Sequence, residues 1–155
     1  MFFGKKIEKI IKNKNGQEAI IEIDNLLSPI FYKNPEKLSL PEKNFVYIEE
    51  LEREVNNGGF DQYFFNSSGN YAMETINALR IIESKIFLDL LEKSINAFAD
   101  GIVPKDRNER QRILLEIRKI NEEFWYSLDE EFYKYEEDIH KLLIDYIKNN
   151  IKDFR

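Results

Sequence analysis

Apolar residues return at intervals of three and four along this 155-residue chain, and nowhere do they alternate with polar ones between turn signals. The first pattern is that of helices that bury one stripe, and the missing second pattern removes half-buried strands. The fold class is therefore all-α. The expected architecture is a compact single domain of about six to eight helices over residues 16–155, preceded by a basic arm or short helix over residues 1–15.

Each expected helix has its own stripe and stop signals. Ile20, Ile23, Leu27 and Ile30 mark a first helix disturbed by Pro29, and Phe31 to Pro41, with Pro35 inside it, reads as a connection. Ser39-Leu40-Pro41-Glu42 has capping-box spacing and opens a helix that buries Phe45, Ile48, Leu51 and Val55. On other faces of it Glu49 can pair with Arg53, and Glu50 and Glu54 stand one turn apart. Asn57-Gly58-Gly59 should end that helix. Met73, Ile76, Leu79 and Ile82 form the next stripe, and Phe87, Leu90, Leu91, Ser94, Ile95 and Phe98 the one after, closed by Gly101 and Pro104. Asp106 to Glu109 repeats the cap spacing ahead of Ile113, Ile117 and Ile120. Ser127-Leu128-Asp129-Glu130 then opens what reads as the longest helix, with Phe132, Tyr135, Ile139, Leu142 and Tyr146 as its stripe.

Several chemistries fail on inventory. Cysteine is absent, which removes disulfides, thiolate metal sites and cysteine nucleophiles. His140 is the single histidine, so the Glu137/His140 E-x-x-H pair lacks the second copy that a di-iron helical bundle requires. The expectation is a non-enzymatic protein with no cofactor and no metal. Met1-Phe2-Phe3-Gly4-Lys5-Lys6 has no apolar stretch of secretory length, and nothing approaches a membrane span, so the expected compartment is the cytoplasm, with no membrane partner.

The formal charge of -6 is unevenly placed. Residues 1–14 sum to +4, residues 49–61 to -4, residues 105–119 to +3 and residues 122–138 to -7. Charge blocks of this kind ordinarily form solvated helix faces.

The most distinctive stretch runs from Val55 to Gly69, VNNGGFDQYFFNSSG. Phe60, Tyr63 and Phe64 share one face of a single turn suited to plugging a core. Asn66, Ser67 and Ser68 suit the cap of a helix starting near Gly69. Asn56, Asn57, Gln62 and Asn66 offer donors and acceptors but no proton transfer near neutral pH. A recess built from them would recognise a ligand rather than transform it.

Asn56, Asn57, Gly58, Gly59, Phe60, Gln62, Tyr63, Asn66 and Gly69 carry a resemblance to the bacterial DNA-mimic protein family. Ala78-Leu79, Leu90-Leu91 and Leu128-Asp129-Glu130-Glu131-Phe132-Tyr133 extend the likeness over residues 45–150. The resemblance implies an all-helical, often dimeric protein that imitates duplex DNA and occupies the DNA-binding surface of a transcription regulator.

On that reading the partner is a basic DNA-binding protein, and the chain's net acidity argues against direct nucleic-acid contact. The acidic surface is assigned to Glu50, Glu54, Glu130, Glu131, Glu137 and Asp138. Two alternatives stand beside it: an immunity-type inhibitor of a basic toxin or nuclease, which uses the same electrostatics, and a plain helical homodimer with no DNA mimicry. The third class, direct phosphate contact, would use Lys5, Lys6, Lys9, Lys12 and Lys14 or the basic group from Arg107 to Lys119.

Overall fold

The computed structural model describes residues 3–154; Met1 and Phe2, which open the segment tested for a secretory signal, lie outside the described residues, as does Arg155. Among the described residues there are eight α-helices: α1 Gly4–Asn13, α2 Gly16–Lys33, α3 Leu40–Phe65, α4 Ala72–Ile81, α5 Ile86–Ser94, α6 Arg107–Ile120, α7 Tyr126–Tyr133 and α8 Ile139–Asn149. Short 3-10 turns link them, and there is no strand among the described residues. The fold is all-α, as the periodicity requires. No helix of the described residues is long and apolar enough to cross a membrane.

The helices fall into two compact units. A terminal unit comprises the chain up to Glu49 and from Asp138 onward, and a central unit comprises Glu50–Glu137, with α3 divided between them.

In the terminal unit α1 packs on α2 and on the last 3-10 turn, burying Ile7 and Ile10, while α2 packs on α8. The Asn15 side chain caps α2 by accepting the Glu18 amide at 3.0 Å. Pro29 does not disturb α2, which continues to Lys33. Pro29 and Asn25 are both exposed, so the carbonyl left without an amide partner faces solvent. Ile20, Ile23 and Leu27 are buried as read, joined by Phe31, and Ile30 is half-buried. The Ser39/Glu42 capping box forms in both directions: the Glu42 amide donates to Ser39 Oγ at 3.3 Å, and the Ser39 amide donates to Glu42 Oε2 at 2.7 Å. Buried Asn44 donates to the Tyr146 hydroxyl at 3.1 Å, fastening the start of α3 to α8.

In the central unit α3 breaks at Gly58-Gly59, where Gly59 takes φ 73, but helical turns resume and run to Phe65. The helix end read from Asn57-Gly58-Gly59 is thus a kink within one element. Phe60, Tyr63 and Phe64 are fully buried. The Phe60 and Phe64 rings meet Phe98, Trp125 and Phe132, and Phe132 meets Phe87, with centroids 4.8–5.8 Å apart.

Three expectations are corrected here. Asn66, Ser67 and Ser68 do not cap a helix at Gly69. A 3-10 turn, Ser67–Tyr71, intervenes, the Asn66 side chain makes no cap bond, and Ser68 Oγ donates instead to the Tyr63 carbonyl at 2.7 Å. The inward row of α6 is Arg110 and Leu114. Ile113 and Ile117 are half-buried, and Ile120 is 87% exposed. The segment after Ser127 is not one long helix: α7 ends at Tyr133, Tyr135 takes φ 46, and α8 starts afresh at Ile139, capped by Asp138. Tertiary bonds hold that break. The Tyr135 hydroxyl donates to Glu52 at 2.9 Å and accepts from Asn56 at 2.7 Å, and its ring lies against Phe87 and Phe132. In α8 Leu143, not Leu142, joins Ile139 and Tyr146 in the buried row.

Candidate partner-binding surface

The distinctive stretch folds as the frame of the central unit. At the kink, Gly59 is held against Asp129, whose Oδ1 accepts the Phe60 amide at 2.8 Å. Asp129 therefore acts as the cap of the second half of α3 from a different helix. Glu54 Oε2 accepts from Gln62 at 2.9 Å and from Asn66 at 2.8 Å, tying the two halves of α3 together across the kink. Asn56 reaches the Tyr135 hydroxyl, and the Tyr133 hydroxyl donates to the Val55 carbonyl at 3.0 Å. Of the amides read as a recess, Asn56, Gln62 and Asn66 are thus joined to neighbouring side chains, and Asn57 is exposed.

The residue that organises this region is one the sequence pattern passed over. Arg110 is fully buried and faces no carboxylate in its hydrogen bonds. Its guanidinium donates to the carbonyls of Phe64, Asn66, Pro104 and Lys105 and to Asn70 Oδ1, at 2.6–3.2 Å. All three guanidinium nitrogens are used, which collects the loose carbonyls after α3 and before α6 onto one rigid group. Burial pulls its pKa below the ordinary arginine value; a cation with neutral acceptors on every nitrogen remains a cation. An arginine inside a helical stripe looks like a solvent-facing residue, and only its spacing of four from Leu114 could have marked it.

The six carboxylates assigned from sequence do not share one environment. Glu50 is buried and pairs with Arg53. Glu54 bridges the kink as described. Glu137 accepts from Ser84 Oγ and from the Lys85 amide at 2.8 Å, at the start of α5. Asp138 accepts the Lys141 amide at 3.0 Å as the cap of α8, in the terminal unit. Glu130 and Glu131 are exposed neighbours on α7, with Glu131 paired to Lys134. The structure therefore brings together Glu130 and Glu131, and of the six only Glu130 has no internal partner among the described residues. His140, in the terminal unit, is half-buried, and the described residues contain no group of three or more His, Asp or Glu placed to hold a metal ion.

Asp129, the chain neighbour of Glu130, belongs to a different acidic set. Gly58, Asp61, Arg118, Glu122, Glu123, Trp125, Tyr126 and Asp129 line an open recess of about 410 Å³ in the central unit. Asp61 is neutralised by a bidentate Arg118 at 2.5–3.1 Å. Glu122, Glu123 and Glu130 are exposed, and no ion pair joins them to any of the described residues. Burial pushes the Asp129 carboxyl above the usual range, the Phe60 amide opposes that, and Asp61 and Glu130 add to it. The rise is first an effect of burial, to which the neighbouring carboxylates add less.

Net charge divides along the same line as the fold. Glu50–Glu137 holds 19 acids and 11 bases, for -8, whereas the rest of the chain holds 10 acids and 12 bases, for +2. Within the central unit Arg53, Arg80, Lys93, Lys105, Arg118, Lys119 and Lys134 are in ion pairs and Arg110 is buried. Each of those pairs takes one acid with its base, and Lys85, Arg107 and Arg112 stay exposed with no ion pair among the described residues, so the unit keeps its excess of acids.

No curated protein and no solved structure matches the chain. A family model described as DMP19-like protein matches residues 36–150, a span that contains the whole central unit, Arg110 and Asp129 included. This chain belongs to the DMP19-like protein family.

Proposed function

We propose that the protein is a non-enzymatic binding domain whose central unit presents an acidic face to the DNA-binding surface of a basic regulator, in place of DNA. The observation that carries this reading is the -8 of the central unit, seven of whose eleven bases are ion-paired and one buried, with exposed Glu122 and Glu123 lining the recess and exposed Glu130 next in the chain to its Asp129. Duplex DNA offers about one negative charge per 1.7 Å, so a basic groove evolved for it responds to closely set, unneutralised carboxylates. Phe124 and Tyr126, 45% and 58% exposed beside those acids, give such a partner apolar contact as well.

The test is capture of DNA-binding proteins from the native cell by the immobilised chain at low ionic strength, with duplex DNA as competitor. Capture that duplex DNA displaces, and that the triple change Glu122→Lys, Glu123→Lys, Glu130→Lys abolishes without loss of helicity, supports the proposal. Capture that neither DNA nor charge reversal disturbs overturns it. A captured nuclease whose active site is blocked would instead favour the immunity reading, and the same variants would then map its interface.

A further inference from the structure

The terminal unit carries a feature that acidic mimicry does not use. In α1 the apolar residues Ile7 and Ile10 face the core, and Lys5, Lys6, Lys9 and Lys12 are all exposed. Lys33 and Lys37, also exposed, line the same cavity as Phe3 and so lie beside the start of α1. None of these six lysines forms an ion pair with any of the described residues, whereas the central unit pairs most of its cations. Lysines left unpaired in a chain with an excess of acids are conspicuous.

Lys5 and Lys6 also oppose helix stability, whereas Lys12, in the last turn, favours it. The first turn of α1 has no acid and no side-chain cap, and it holds Lys5 and Lys6 where the helix dipole favours negative charge. Helices α2 to α7 each carry an acid in the first turn. Residues that disfavour their own helix are better explained by what they contact outside it.

We propose that this lysine face of α1 binds the phosphate backbone of duplex nucleic acid without reading sequence. Lys5, Lys9 and Lys12 lie on one side of the helix and span about 10 Å along its axis, the rise of about three phosphates of one strand. Ammonium groups supply point charges with no acceptor and no planar fork, suited to phosphate and poorly suited to base edges. An anionic bilayer fits less well. A helix that lies in a membrane interface keeps its apolar face free to insert, and here Ile7 and Ile10 are already buried. The chain's overall negative charge is not that of the unit carrying α1: the chain outside Glu50–Glu137 sums to +2, and Glu8 is the one acid of α1.

The experiment is fluorescence anisotropy of the full chain, alone, with labelled duplex DNA of arbitrary sequence at 20 to about 150 mM salt. The expected result is binding that is indifferent to sequence and falls with a log–log salt slope between about -3 and -5, or about 0.9 per phosphate contacted. Lys5→Glu with Lys9→Glu and Lys12→Glu should weaken it at least about tenfold while leaving the helical signal intact. Wild-type protein that gives no shift at the lowest salt, or a triple variant that binds as well as wild type, overturns the proposal. So does capture by vesicles rich in anionic lipid without DNA binding, or a clear preference for single-stranded RNA. The acidic face is tested separately by its own charge-reversal variant, Glu122→Lys with Glu123→Lys and Glu130→Lys, which leaves the α1 lysines intact.

Discussion

Gly69 and Arg110 lie so close that a side-chain carbon on Gly69 would stand 2.6 Å from Arg110 Nε and 2.8 Å from the Phe64 carbonyl oxygen. Neither neighbour can yield. The arginine is fixed by its hydrogen bonds to surrounding acceptors, and the carbonyl is backbone. Gly69→Ala is expected to lower stability by about 1–3 kcal/mol through overpacking. Arg110→Met keeps the volume but strands buried acceptors and should cost more than about 3 kcal/mol. Urea unfolding followed by the single buried Trp125 measures both, and a Gly69→Ala variant as stable as wild type would show that the turn can relax.

Asp129 and Gly59 give a pH test. The folded-state pKa of Asp129 is raised, so the native protein holds this proton more tightly than the unfolded chain. In the window above the ordinary aspartate value, stability contributed by this group falls as pH rises. The stability difference between wild type and Asp129→Asn should therefore move in favour of wild type as pH is lowered from about 7 toward 4. Urea midpoints of the two proteins across that range check the sign. A difference that is flat or moves the other way removes the shift.

Glu137 and Glu130 separate two uses of a carboxylate. Glu137→Ala removes acceptors from the Ser84 hydroxyl and Lys85 amide at the start of α5, and should cost about 1–2 kcal/mol, the size of a helix-cap loss. Glu130→Ala touches no such bond and should change stability by less than about 0.5 kcal/mol. If Glu122→Ala weakens partner binding while Glu137→Gln does not, the acidic surface is the one around the recess and not the full set of six read from the sequence.

That contrast shows where sequence reasoning reached and where it stopped. Local devices were legible because they rest on adjacent residues. The Ser39/Glu42 capping box forms in both directions, and the Phe60, Tyr63, Phe64 turn is fully buried. Features set by distant residues were not. The break at Tyr135 has no glycine or proline to announce it and is held by bonds to Glu52 and Asn56, about 80 positions away in the chain. The same holds for the carboxylates: counting charge by segment locates acids but cannot tell a cap such as Glu137 from a free side chain such as Glu130.

Helix α6 carries the last prediction, because sequence and structure disagree there about its inner face. Ile113, Ile117 and Ile120 form a plausible stripe, yet the row that points inward is Arg110 and Leu114. Periodicity assigns the inner face to apolar side chains, and it fails when a fully bonded arginine takes one of those places. The two rows make opposite forecasts. Leu114 is completely buried, so Leu114→Ala should cost about 2–5 kcal/mol from lost burial and the cavity left behind. Ile120 is 87% exposed, so Ile120→Ser should stay within about 0.5 kcal/mol of wild type. Thermal unfolding of the pair decides between the rows: a large loss at Ile120 with little at Leu114 would rotate α6 and take the Arg110 hub with it.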